Sequence, residues 1–315
     1  MLVWQGITLF TGSVRHLSLR LGKHWEAVDF TPLRSLTSLG TLDFDTTCFY
    51  SQVFLQLLPQ LSSVTKLHPL NFRLDMNPAL GESIARCSAL KALNWANTRL
   101  SPRRSASMST IFKRAQLTEL AIIFCRNFPA ELCCLTRLEH LSLGAELNDV
   151  CGLAEALSCM PNLQTLQVNL LAIGFRRRPH GVVRFKLSGD AFSSMDNLRS
   201  VSLRLVDIGE SFFQELASRT GLTKLEFISH QDWRYSRDFL CQVNLLRNLE
   251  ELTFRLSKKD KICNVLWPSH LPKLRRLNVN NVGGRAGAVR RKFERSMHPA
   301  LINTKTSPWR SRFQA

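Results

Sequence analysis

Apolar residues recur along the chain in two alternating periods. In residues 151–168, CGLAEALSCMPNLQTLQV, Leu153, Ala156, Leu157 and Met160 fall at i, i+3, i+4 and i+7, the stripe of a short helix with one buried face. Pro161 and Asn162 stop it. Leu163, Leu166 and Val168 follow, and Leu166 and Val168 alternate as one buried face of a strand does. Neither piece can bury its apolar face alone, so the unit has to recur and stack if the chain is to have a core.

It does recur. The strand pattern starts at Val14 (VRHLSL), Leu39 (LGTLDF), Val64 (VTKL), Leu90 (LKALNW), Leu117 (LTELAI), Leu138 (LEHLSL), Leu163, Leu198 (LRSVSL), Leu222 (LTKLEF), Leu249 (LEELTF) and Leu274 (LRRLNV). Setting aside one 35-residue step, between Leu163 and Leu198, the steps average 25 residues. On these residues the chain resembles leucine-rich repeat proteins, whose repeats run to about 20–29 residues, and the likeness covers residues 14–282. The resemblance implies an α/β solenoid, a horseshoe of about 11 repeats with a parallel sheet on its concave face and helices or irregular segments on its convex face. The helix-like segments 81–87 (GESIARC), 152–160 and 211–219 (SFFQELASR), with a further helix over 53–61 ending near Pro59, resemble the ribonuclease-inhibitor and F-box styles of repeat. Residues 128–138 (FPAELCCLTRL) are shorter and resemble the plant-type loop. The Asn or Cys that usually follows the strand in this family is matched by Cys125 alone.

Three departures from the frame stand out. Pro69 occupies an apolar strand position without an N–H for the ladder, which predicts a kink or bulge there. Residues 101–110 (SPRRSASMST) read as a mobile connection on the rim, with a phosphorylatable Ser after Arg-Arg as the alternative. The long step holds an excursion, residues 172–190, in which Val182, Phe185 and Leu187 make a weak strand match. The domains are therefore 1–13, a degenerate cap or truncated repeat around Trp4, Ile7 and Leu9; 14–282, the repeats; and 283–315, a basic tail.

Charge sharpens this division. The formal net charge is +18, and residues 283–315 carry eight Lys/Arg against Glu294 while 172–190 carry five against Asp190, so most of the excess lies in two appendages. Arg176, Arg177 and Arg178 in the excursion, with Arg290, Arg291 and Lys292 in the tail, form candidate basic patches for nucleic acid or an acidic membrane surface. An apolar content of 44% with 21% charged residues is that of an ordinary folded chain. Neither a signal peptide nor a membrane span is expected. The nine cysteines show no CxxC and no zinc-type spacing, and read as buried thiols. Secreted relatives of this architecture carry Cys-rich caps, so the resemblance implies an intracellular, cytoplasmic or nuclear, location.

No catalytic motif is present, and no cofactor or metal is expected. His16 and His140 fall on outward strand positions without a carboxylate at a fixed offset, and read as solvated. Function is therefore sought on the surface. Numbered from its first apolar residue, each strand motif turns positions 3, 5 and 7 away from the core, and neighbouring repeats bring equivalent positions about 4.8 Å apart. Row 3 ends in Lys224, Glu251 and Arg276, a structural ladder of alternating sign. Row 7 reads Asn169, Arg204, Ile228, Arg255 and Asn280, two arginines flanking an apolar residue with no acid in the row. That predicts forked donors free for a partner's carboxylates. Trp233, Arg234, Tyr235 and Arg237 follow the Leu222 strand, and are residue types that dominate binding hot spots, although Trp233 or Tyr235 covering the core is the even alternative. The expectation is a non-enzymatic scaffold binding an acidic protein surface through Arg204, Ile228, Arg255, Asn280, Asn169, Trp233, Tyr235 and Arg237. The alternatives are polyanion binding by the appendages, or the substrate-receptor part of an F-box ligase whose N-terminal region is missing.

Overall fold

Every strand motif carries a leucine or valine at its fourth position, and in the computed structural model these residues form one continuous ladder. Leu17, Leu42, Leu67, Leu93, Leu120, Leu141, Leu166, Val201, Leu225, Leu252 and Leu277 pair in turn, each with the next. The structure describes residues 12–20, 28–45, 51–70, 78–100, 105–114, 116–124, 130–146, 152–171, 186–187, 189–204, 207–208, 212–228, 242–256 and 271–281. The strands are β1 (His16–Leu19), β2 (Thr41–Asp45), β3 (Lys66–Leu70), β4 (Ala92–Leu100), β5 (Glu119–Phe124), β6 (His140–Glu146), β7 (Thr165–Leu171), β8 (Lys186–Leu187), β9 (Ser200–Arg204), β10 (Asp207–Ile208), β11 (Lys224–Ile228), β12 (Glu251–Leu256) and β13 (Arg276–Asn281). All but β8 and β10 lie in chain order in one 11-stranded parallel sheet. The fold is a leucine-rich repeat solenoid.

Return segments cover the inner side of that sheet. They include α1 (Gln52–Leu57), α2 (Pro78–Ala85), α3 (Ser105–Arg114), α4 (Leu153–Ser158) and α5 (Phe212–Ser218), with 3₁₀ turns at Thr31–Ser35, Leu58–Gln60, Ala130–Cys134 and Gly189–Phe192. Ser51 caps α1 by accepting the Phe54 amide at 3.2 Å. In α4 the whole expected stripe, Leu153, Ala156, Leu157 and Met160, is buried. Phe212 of α5 meets Phe192, Phe213 and Phe227 at ring separations of 5.2–5.9 Å, tying one return segment to the sheet and to the previous repeat. A fully buried Leu or Phe stabilises by roughly 1.5–3 kcal/mol, so a core of stacked leucines carries the solenoid.

Stacking is also polar. At the start of each strand one carbonyl accepts two successive amides of the next repeat: Arg15 O takes Gly40 and Thr41, Gly40 O takes Thr65 and Lys66, and the series continues to Glu250 O, which takes Arg275 and Arg276. A side-chain ladder lies just ahead of the strands, where Asn162, Asn197 and Asn248 donate to Thr136 O, Pro161 O and Thr220 O at 2.9–3.4 Å. Each Asn directly precedes a motif leucine, so the amide ladder stands on the approach to the strand instead of after it.

Residues 105–110 open α3 and are not a mobile connection: Met108, Ile111 and Phe112 form its buried stripe, which the surrounding Ser and Arg had masked. Pro69 does not kink β3, whose pairing with β2 runs through Phe44↔Pro69 to Asp45↔Leu70. Its missing N–H is felt on the other side, where pairing with β4 stops at Leu67↔Leu93, and the register shift falls in β4 against β5, between Trp95 and Arg99. Across the long step β7 pairs directly with β9, so no strand is interposed in the main sheet. Lys186 and Leu187 instead form β8 and pair with β10 in a separate two-stranded sheet, while Val182 and Phe185 lie outside the described residues.

Candidate functional site: the concave face

Alternation along the strands turns positions 3 and 5 outward from β1 to β13, and side-chain contacts along and between the rows decide what this face offers. At its N-terminal end Asp43 stands between two histidines. His16 Nε2 lies 2.9 Å from Oδ2 and His68 Nδ1 lies 3.0 Å from Oδ1. His16 thus has a carboxylate partner, one repeat away and one row across. Lys66 Nζ reaches over the small, buried Ala92 to Glu119 on β5, at 3.7 Å.

In rows 5 and 7 the centre of the face carries no charge. Ala121, Ser142, Gln167 and Ser202 follow one another in row 5, beside Ile123, Gly144 and Asn169 in row 7. Gly144 is buried because Ile123 lies over it: a Cβ there would come within 2.7 Å of Ile123 Cγ1, so only glycine fits without displacing that side chain.

Charge returns at the C-terminal end. Lys224 and Arg276 flank Glu251 at 3.4 Å and 2.6 Å, the expected ladder. Row 7 forms by backbone register, with Asn169 opposite Arg204, Arg204 opposite Ile228, Ile228 opposite Arg255, and Arg255 opposite Asn280. The Arg204 guanidinium, however, is already engaged. Its Nη2 lies 3.4 Å from Oε1 of Glu226, whose Oε2 accepts the Ser202 hydroxyl at 2.9 Å. The acid sits one strand on and one row across, in row 5 and not in row 7. Arg204 Nε is buried without a hydrogen-bond partner. Trp233, Tyr235 and Arg237, and the basic residues Arg176, Arg177, Arg178, Arg290, Arg291 and Lys292, lie outside the described residues.

On the opposite side, Cys87 is half-buried against the core: burial pushes its pKa up to about 12, and it donates to Ser83 O and Leu58 O. Against the expectation of buried thiols, Cys134 and Cys159 are exposed and Cys133 is half-buried. Among the described residues no group of three or more His, Cys, Asp or Glu is arranged to hold a metal ion. Among them, too, no helix is long and apolar enough to cross a membrane.

No family model matches this chain. No curated protein matches it in sequence. Among solved structures it is similar to an internalin (inlF) from Listeria monocytogenes, at 15% identity and a TM-score of 0.47, covering 81% of this chain and 65% of that one. The chain thus spans a little under two thirds of that internalin. An internalin C2 (inlC2) from the same organism is similar at 16% identity and a TM-score of 0.35, covering 73% of this chain and 79% of the other.

Proposed function

We propose that this chain is a non-enzymatic, intracellular protein-interaction scaffold that receives an acidic protein surface on the C-terminal half of its concave face. The observation that carries the reading is the register that sets Arg204, Ile228 and Arg255 side by side across β9, β11 and β12. An apolar residue between two cations suits a partner that presents carboxylates around an apolar side chain. Asn169 and Asn280 extend the row, and Trp233, Tyr235 and Arg237, which follow β11 in the sequence, supply the anchor. Glu226 holds Arg204 in the absence of a partner, so a partner's carboxylate has to compete with it.

That competition gives the test. Partners are captured on the whole chain, and the dissociation constant of one purified acidic partner is compared across variants. Arg204→Gln/Arg255→Gln should weaken binding at least about tenfold, the loss of about 1.4 kcal/mol, and Glu226→Gln should strengthen it. The matched N-terminal change, Asp43→Lys/Asp45→Lys, should have little effect. Loss of binding through the N-terminal pair with the arginine pair neutral would place the site elsewhere.

A second reading rests on the charge concentrated in residues 172–190 and 283–315, which suits nucleic acid or an acidic membrane surface. Removing residues 297–315 should then lower heparin affinity and flatten its salt dependence while leaving the melting temperature unchanged. The ribonuclease-inhibitor or F-box style of the repeats favours a receptor role within the first reading.

A further inference from the structure

Asp43, at position 5 of its motif, is approached by a histidine from each neighbouring strand. His16 of β1 donates from Nε2 to Oδ2 at 2.9 Å, because an ionised carboxylate only accepts. Its Nδ1 is then left as an acceptor, on a side chain that is 59% exposed. His68 of β3 brings Nδ1 to 3.0 Å from Oδ1, a buried oxygen on which no hydrogen bond is aligned, so what this ring offers the carboxylate is charge. The other charges of these three strands offset one another. Lys66, beside His68 on β3, is turned to Glu119 at 3.7 Å, while Arg20 and Asp45 stand with opposite signs at position 7 of adjacent motifs. Ser18 and Thr41 carry none. The balance at this end therefore follows one carboxylate and two imidazoles: −1 with both rings neutral, and −1 with two added positive charges, or +1, with both protonated.

We infer that the N-terminal end of the concave face is a second docking surface, which takes a basic protein segment at neutral pH and releases it in acid. With both rings neutral, the uncompensated charge of Asp43 attracts a lysine or arginine, and His16 Nδ1 accepts an N–H from it. An imidazole takes up its charge between about pH 8 and about pH 5. Once protonated, His16 Nδ1 turns from acceptor to donor, both rings repel a cation, and the sign of the surface reverses. The chain as a whole is strongly basic, at +18, but charges further off than about 8 Å are largely screened at physiological salt. Arg204 stands six strands from Asp43 in the sheet, roughly 29 Å at about 4.8 Å per strand. Local sign therefore decides what docks here. The partner is opposite in charge to the one proposed for the C-terminal half, and its docking does not depend on that reading.

The experiment follows the fluorescence anisotropy of a labelled tetralysine peptide, standing in for the basic segment, as the whole chain is added at about 0.15 M salt and from about pH 7.5 to about pH 5.5. Affinity should fall at least about tenfold across that range, because the two charges gained stand beside the bound cation. His16→Gln/His68→Gln keeps polar side chains that cannot charge, so it should bind as the unsubstituted chain does near neutrality and hold that affinity in acid. Asp43→Asn should bind weakly at both ends of the range, with the melting temperature of every variant taken alongside. The unsubstituted chain gives a readout that needs no variant. Near pH 6.5, about the ordinary midpoint of a histidine, binding should release protons, because a cation favours the neutral rings and linkage is reciprocal. Calorimetry in two buffers of different ionisation enthalpy measures that release. Three results would overturn the proposal: no binding at neutral pH, binding without proton release, or a histidine double variant that keeps the full pH dependence.

Discussion

The two ends of the concave face are built on the same frame and solve the same electrostatic problem with different groups. At the N-terminal end one carboxylate, Asp43, lies between His16 and His68, which carry charge only when protonated. At the C-terminal end Glu226 and Glu251 lie among Arg204, Lys224 and Arg276, whose charges are permanent over the usual range. Between them rows 5 and 7 run without charge. The frame dictates where the rows fall, and the outward residues are then free to vary without disturbing it. A partner that reads charge therefore meets two different surfaces on one scaffold.

The largest effect should show that the frame itself is the same at both ends. Leu42 and Leu252 are fourth-position residues with 0% and 1% exposure, so Leu42→Ala and Leu252→Ala should each cost about 2–5 kcal/mol in denaturant unfolding. A cost confined to one end would mean that the ends are not equivalent repeats. An intermediate effect should separate the ends. Asn248 both donates to Thr220 O at 3.0 Å and accepts the Lys273 ammonium at 2.7 Å, whereas Ser63, at the matching place near the N-terminus, makes one bond of 3.3 Å to Leu36 O. Asn248→Ala should cost about 1 kcal/mol and Ser63→Ala a few tenths, read from thermal melts. The smallest effect concerns the acids. Glu226→Gln should cost no more than about 1 kcal/mol and lose most of that cost in high salt. Asp43→Asn should be less sensitive to salt, since a histidine brings an opposite charge for salt to screen only when it is protonated. Equal salt dependence would erase the distinction between the ends.

Much of this was legible from spacing. The apolar period located all eleven strands of the sheet and, residue by residue, the buried stripe from Leu153 to Met160. Helix α3 was missed because its buried Met108, Ile111 and Phe112 are diluted by Ser and Arg. The Asn ladder is legible too, since Asn162, Asn197 and Asn248 each immediately precede a motif leucine, although the family's usual Asn or Cys stands on the far side of the strand.

By itself the sequence determined the repeat, its length and the side of each strand that faces the core, because burial of a period-2 stripe against a period-3.6 stripe depends only on which residues are apolar and how far apart they stand. It also determined which outward residues share a row, since equivalent motif positions pair whatever the length of the step between them. What only the tertiary structure decided is which polar groups meet between rows and between repeats. Glu226 reaches Arg204 diagonally, His16 finds Asp43 across one repeat, and Lys66 passes over Ala92 to Glu119. Those meetings depend on side-chain length, rotamer and the offset between stacked segments, all of which are set after the backbone has closed.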